Sequence, residues 1–322
     1  MVNVIQVLLA ACSVVLYLAG GADAQTYPTR PIRILVGTPP GGGADFLARG
    51  LAPKLTESLG QSIVVENRPG ANGAVASEVL ARTAPDGYTL KINVFGDAVN
   101  PLLMKVNFDF LKDFSYIALA GESQNMLASH PSFPSTGVKG LIAISKAKPG
   151  GVTYGSQGIG ASGHLSGELF QYMTGVKWVH IPYKGGAPAL IDLLAGNITI
   201  SFANIPTAIE HVRSKRLRAL AVTGEKRTAA APDIPTVGES GVPGYQVSNW
   251  FGLSAPAKTP PEIVSRLNTE IVRAINSPDL SAALRKGGTE PSTLNPAQYT
   301  AFIQNEYTKW AKVIKATGIK GE

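Results

Sequence analysis

The sequence predicts an α/β protein whose two α/β domains flank a ligand cleft, and three observations carry that expectation. Its 322 residues exceed the usual span of a single hydrophobic core. Short apolar runs alternate with helix-period segments at the spacing of βαβ units, which place ligand sites beyond the carboxyl ends of their strands. The alternation occurs as two series, each with a glycine-rich turn between a strand and a helix. The division expected is residues 25–124 with 250–322 as the first domain and 125–249 as the second.

A leader precedes both. Val2 to Gly20 is almost unbroken in apolar and small residues and is followed by Ala22-Asp23-Ala24, so an export signal over residues 1–24 with cleavage after Ala24 is expected. No Lys or Arg precedes the apolar run, which departs from the usual signal and questions the start codon. Leu9-Ala10-Ala11-Cys12 offers a competing lipoprotein box, and a retained anchor is the third reading. No later stretch is apolar for the roughly 18 residues a membrane helix needs. Cys12 is the only cysteine, so a processed chain has none, and disulfides, thiolate nucleophiles and cysteine metal sites drop out. Processing removes one acid and no base, leaving 29 − 21 = +8 formal charges, a balance that attracts anions. The bases are scattered, with Lys215, Arg216 and Arg218 the densest group, which speaks against nucleic acid.

In chain order, Ile32 to Val36 reads as a buried strand. A glycine turn follows, then a helix with Leu47, Leu51, Leu55 and Leu59 on one face, closed by Gly60; Pro53 inside it predicts a bend. Ile63 to Asn67 is the next strand, followed by an alanine-rich helix to about Arg82 and, past Pro85-Asp86-Gly87, a strand from Tyr88 to Val94. The second series has strands at 152–154, 178–183, 198–202 and 218–222. The last 70 or so residues are amphipathic helices. One starts at Thr259-Pro260-Pro261 with Ile263, Leu267, Ile271 and Ile275 inward. Another starts at Asn295-Pro296-Ala297-Gln298 as a capping box, with Phe302, Ile303, Tyr307, Trp310 and Ile314 inward.

The sharpest chemical signal is Pro40-Gly41-Gly42-Gly43-Ala44-Asp45. Three glycines let backbone approach a ligand closely, and the first amides of the next helix carry the positive end of its dipole, which suits a carboxylate. The competing reading is a tight turn with Asp45 as a helix cap. A comparable turn runs through Ser156, Gly158, Ala161, Ser162 and His164. It holds a literal G-x-G-x-x-G at Gly158, Gly160 and Gly163, yet the acid expected about 20 residues on for a ribose is missing, so no cofactor is expected. His130, His164, His180 and His211 show no metal spacing, and Ser162 near His164 makes neither an elbow nor a triad, so neither metal nor catalytic residues are expected. A lone His by such a turn is ordinarily a structural hydrogen-bonding residue. Two anion-suited turns, one per domain, outline a clamshell that closes on its ligand.

Pro40 to Asp45, Glu66-Asn67-Arg68-Pro69-Gly70-Ala71, Pro85-Asp86-Gly87-Tyr88-Thr89-Leu90, Asn100-Pro101 and Tyr154-Gly155-Ser156 begin a set of ordered motifs. Pro182-Tyr183-Lys184-Gly185-Gly186-Ala187-Pro188-Ala189, Leu217 to Val222, Pro235-Thr236-Val237 and Pro243-Gly244-Tyr245 complete it. Together they resemble the Bug family, the extracytoplasmic receptors of tripartite tricarboxylate transporters, over the whole processed chain. The resemblance implies a periplasmic-binding-protein-like fold, a periplasmic monomer without enzymatic activity, and capture of a small organic carboxylate by backbone amides and ordered waters. It also implies release of that ligand to the permease subunits of a membrane transporter. It assigns the ligand wall to Thr38, Pro40, Gly41, Gly42, Gly43, Ala44 and Asp45, to Ser156, Gly158, Ala161, Ser162 and His164, and to Tyr183, Gly185, Ala203 and Asn204. Three positions depart from the pattern: Thr38 replaces a frequent aromatic, Ala44 a frequent Ser or Thr, and Ala203 a usual Asp, so a bulkier or more purely anionic ligand than an amino acid is expected. The bland reading of Tyr183 is core packing with its hydroxyl hydrogen-bonded, and that of Lys184 is a solvated charge. The rival functions are an orphan receptor presenting its ligand to a signalling partner and an exported enzyme acting on a small acid.

Overall fold

The computed structural model describes residues 27–321; the leader, its cleavage site and Cys12 lie outside the described residues. Among the described residues, ten strands and ten α-helices make two α/β lobes that share strands. In the first lobe, β1 (Ile32–Val36) lies between β2 (Ile63–Asn67) and β3 (Thr89–Val94), all parallel. The helices between them are α1 (Gly43–Leu59) and α2 (Ala74–Ala81), with α3 (Phe95–Leu103) following β3 directly. The leucine face read from the sequence is the buried face of α1: Leu47, Leu51, Leu55 and Leu59 join Ile32, Ile34 and Val36 in one core. Gly60 closes α1 in the left-handed conformation, at φ 70°. Pro53 is accommodated within α1 as one continuous run.

The second lobe repeats the plan. β5 (Thr153–Ser156) pairs in parallel with β6 (Val179–Pro182) and β7 (Ile200–Asn204), and α4 (Val138–Ala147), α5 (Ser162–Thr174), α6 (Gly186–Ala195) and α7 (Ile205–Arg213) surround them. β8 (Arg218–Val222) joins as an antiparallel neighbour.

The parallel pattern expected throughout is interrupted where the lobes meet. β4 (Phe114–Ser129) is a 16-residue strand that belongs to both sheets: residues up to Gln124 pair with β9 (Ser248–Pro256), and Asn125 onward pairs with β7. β9 runs antiparallel to both β3 and β4, and the short β10 (Thr289–Pro291) also lies against β4. Neither long strand shows the clean boundary signals that mark the others, because both are buried nearly end to end.

The C-terminal helices α8 (Pro261–Ile275), α9 (Pro278–Lys286) and α10 (Pro296–Thr317) return to the first lobe. The capping box at α10 forms as expected, with the Asn295 side chain accepting from the Gln298 amide. α10 also packs on α5, and one hydrophobic core runs from Phe95 and Trp310 through Leu165, Phe170 and Phe202. Phe95 and Trp310 meet edge to face at 5.2 Å. Among the described residues, no helix is long and apolar enough to cross a membrane.

Candidate functional site

Strand-to-helix turns from both lobes converge on one cavity of roughly 630 Å³. It lies beyond the carboxyl ends of β1, β3, β5 and β7, where α1, α3, α5 and α7 begin. The lobes touch at two places beside it. On one side Asn72 Nδ2 donates across the gap to the Ile159 carbonyl at 3.3 Å. On the other, Gly288 lies against the Pro206 ring, where a Cβ would approach to 3.0 Å.

The first turn presents Thr38, Gly41, Gly42, Gly43 and Ala44 to the cavity. Gly41 has φ +87°, which a Cβ would strain, and a Cβ on Gly43 would lie 2.9 Å from Phe251 Cζ. Glycine is therefore what lets α1 start against the Phe251 ring. Thr38 Oγ1 is buried in this wall without a hydrogen-bond partner among the described residues. The side chain of Asp45 is committed elsewhere. It is 3% exposed, accepts from the Gly41 amide at 2.9 Å, from Arg49 Nε at 2.9 and 3.0 Å, and from Asn67 Nδ2 at 2.9 Å. The Arg49 hydrogen bonds, with those from Gly41 and Asn67, hold its carboxyl at about 2. Asp45 thus braces the turn and does not line the cavity, and Pro40 points outward to solvent.

The second turn presents Gly160, Ala161 and Ser162, with Gln157 beside them. Gln157 threads the turn: its amide donates to the Phe202 carbonyl at 3.1 Å and its oxygen accepts from the Gly163 amide at 3.1 Å. Ser156 and Gly158 lie behind the surface, with Ser156 Oγ 2.7 Å from His180 Nε2 and accepting from the Gly158 amide at 3.2 Å. His164 is likewise structural. Its Nδ1 accepts from the Gly160 amide at 3.1 Å and its ring stacks on His180 at 4.1 Å. Burial, with the neighbouring His180, pushes His164 down to about 3, and burial alone pushes His180 to about 4, so both rings are neutral at pH 7.

The remaining expected wall is split. Asn204 caps α7 by position and lines the cavity. Ala203 is buried in β7 opposite Met126, Gly185 donates to the Gln157 carbonyl, and Tyr183 donates its hydroxyl to Asp192 at 2.6 Å. None of these three lines the cavity. Sequence reasoning missed Asn72, Phe46, the Val94–Gly96 turn, and the β4 and β9 positions Gln124, Asn249 and Phe251. The β3–α3 turn carries no glycine run to flag it. Asn72 left one signal, a Pro-Gly-Ala-Asn-Gly loop that demands unusual backbone angles, and it adopts φ 49°.

Among the described residues that line the cavity, none is Lys, Arg, His, Asp or Glu. Any attraction of this cavity for an anion would therefore rest on backbone. α1, α5 and α7 begin at Gly42, Ala161 and Asn204 without a side-chain cap from those residues, although Gln157 takes the Gly163 amide at the start of α5 and Pro206 brings none to the start of α7.

The chain as a whole is similar to known proteins. Residues 47–319 match the family model described as tripartite tricarboxylate transporter family receptor. The chain is 39% identical over 319 residues to the protein BugT of Bordetella pertussis, covering 97% of this chain and 98% of that relative. A solved R. palustris protein with adipate superposes with a TM-score of 0.80 at 36% identity, covering 92% of this chain and all of that one. MatC of Rhodopseudomonas palustris with bound malate gives a TM-score of 0.75 at 30% identity, covering 89% of this chain and 100% of that one.

Proposed function

Because the chain belongs to the Bug family of tripartite tricarboxylate transporter receptors, we propose that it captures a small organic carboxylate between its lobes outside the cytoplasm and delivers it unchanged to the permease subunits of such a transporter. The observation that carries the reading is the cavity itself: helix starts from both lobes border it, an unpartnered Thr38 hydroxyl is buried in its wall, and no ionisable side chain lines it. A carboxylate seated there takes its hydrogen bonds from the amides of Gly42 to Ala44 on one lobe and of Ser162 on the other, with Asn204 completing the second wall. Solved relatives named with adipate and with malate support the ligand class. The uncharged wall also favours binding over turnover, since no acid, base or nucleophile with an unsatisfied role faces the ligand. In this reading the processed protein is a periplasmic monomer.

Closure follows from the same contacts. A ligand bridging both glycine turns selects the form in which Asn72 reaches Ile159, and that form is the one a permease would recognise. Mass spectrometry of the small molecule that co-purifies, followed by thermal-shift and calorimetric screening of carboxylates, tests the proposal. A carboxylate that raises the melting temperature and is recovered intact supports it. A protein that binds no carboxylate, or converts the one it binds, ends it.

A further inference from the structure

The two walls of the cavity differ in chemistry. The large apolar side chains that line it, Phe46, Leu47, Val94, Phe95, Phe251 and Leu284, all come from the first lobe. The second lobe contributes Gln157, Ser162, Asn204, Thr207 and Asn249, with Ala161 and Pro206 as its small apolar surface, while the first lobe adds the polar Thr38, Asn72, Ser123, Gln124 and Thr289 to its apolar side chains. The helix starts divide the same way. α1 and α3 each carry an acid in the first turn, Asp45 and Asp97, and each acid accepts from the backbone amide just ahead of its helix. α5 and α7 carry none. Both acids are themselves paired, Asp45 with Arg49 and Asp97 with Lys91, so the difference between the lobes that bears on a ligand is the hydrocarbon that the first one offers. Phe46 is the most telling residue: a phenylalanine 49% exposed at the mouth of a cleft leaves ring surface for something to cover.

We infer that the ligand is a carboxylate with an unsubstituted hydrocarbon body, which lies against the Phe46 and Phe251 wall of the first lobe. This rests on the carboxylate-receptor reading and narrows it. A hydroxylated body fits poorly, because its hydroxyls would lose water against the side chains of Phe46, Val94, Phe251 and Leu284, which return no hydrogen bonds.

Matched pairs isolate the body from the charge. Adipate against galactarate, and hexanoate against gluconate, keep chain length and carboxylate number and change only the hydroxyls. Calorimetry is expected to show the plain acid of each bound pair about tenfold or more tighter than its hydroxylated match, and Phe46→Ser to lower the affinity for the plain acid by about tenfold, narrowing the gap. Galactarate or gluconate binding as tightly as its partner, or a Phe46→Ser variant of unchanged melting temperature with no loss for the plain acid, overturns the inference while leaving the receptor reading intact. Failure of every carboxylate to bind removes the receptor reading instead, and this one with it.

Discussion

Asn72 carries the most specific consequence at the scale of single residues. Its left-handed backbone is held by Asn100, whose Nδ2 donates to the Ala71 and Asn72 carbonyls at 2.9 and 3.2 Å, and its side chain then reaches Ile159 on the opposite lobe. Asn72→Gly keeps the backbone angle and deletes only that donor. It is expected to weaken every carboxylate ligand by a similar factor, about threefold to tenfold, through faster release, since one net hydrogen bond of the closed form is lost. Stopped-flow dissociation rates measured across several ligands check this, and a loss confined to one ligand would mean direct contact instead. The stacked histidines make a second prediction. Their folded pKa values, about 3 and 4, lie below the unfolded value near 6.5, so the unfolded chain binds more protons between those limits. Stability is full above about pH 6.5 and falls, by a few kcal/mol in all, as pH drops toward 4. Melting temperatures taken from pH 7 to 4 should decline, and His164→Asn should flatten the decline.

The glycine turns were legible at this scale because glycine is needed where backbone must approach closely or turn left-handed. The roles of Asp45, His164 and Tyr183 were not. A polar residue beside a ligand turn can face the ligand or brace the turn, and only its partners, Arg49 and Asn67, His180, and Asp192, decide between them.

Among elements, β3 and α3 are joined by a buried ion pair. Lys91 is fully buried in the middle of β3, and its ammonium donates to Asp97, the residue that also accepts from the Val94 amide at the start of α3 and from Ser77 at 2.9 Å. Burial lowers the Lys91 pKa, with Asp97 acting to raise it. Lys91→Met leaves Asp97 uncompensated and is expected to cost about 3–5 kcal/mol, most of it recovered in the double variant with Asp97→Asn. Urea unfolding of the three variants measures both numbers. The sequence hides this pair, since a lysine inside an apolar strand reads as an ordinary interruption. The exposed capping box of α10 is the opposite case, readable from four residues; Asn295→Ala is expected to cost about 1 kcal/mol in the same assay.

For the whole molecule, the periodic segments announced two α/β lobes because each lobe builds its parallel sheet from local βαβ units. What joins the lobes was silent. β4 and β9 pair over long sequence distances, and an antiparallel strand buried on both faces carries no alternation to read. Their shared core, continued by α10, would make the proposed closure a bend about a packed spine. Saturating ligand at about 100 times its Kd should add about 2.7 kcal/mol of stability if it binds only the folded form. Small-angle scattering should show a smaller radius of gyration with ligand than without.

The late position of β9 also bears on how the chain matures. β3 has β1 on one side and gains its other neighbour only from β9, and the stretch from Val94 to Ser248, including the whole second lobe, is synthesised between them. At ordinary ribosomal speeds that leaves a buried-type strand edge bare for on the order of ten seconds. A chain ending before Ser248 should therefore aggregate, and a soluble, protease-resistant 27–247 fragment would contradict that. In the proposed reading, export before folding would place this exposure on the far side of the membrane, where the last strand arrives together with the rest.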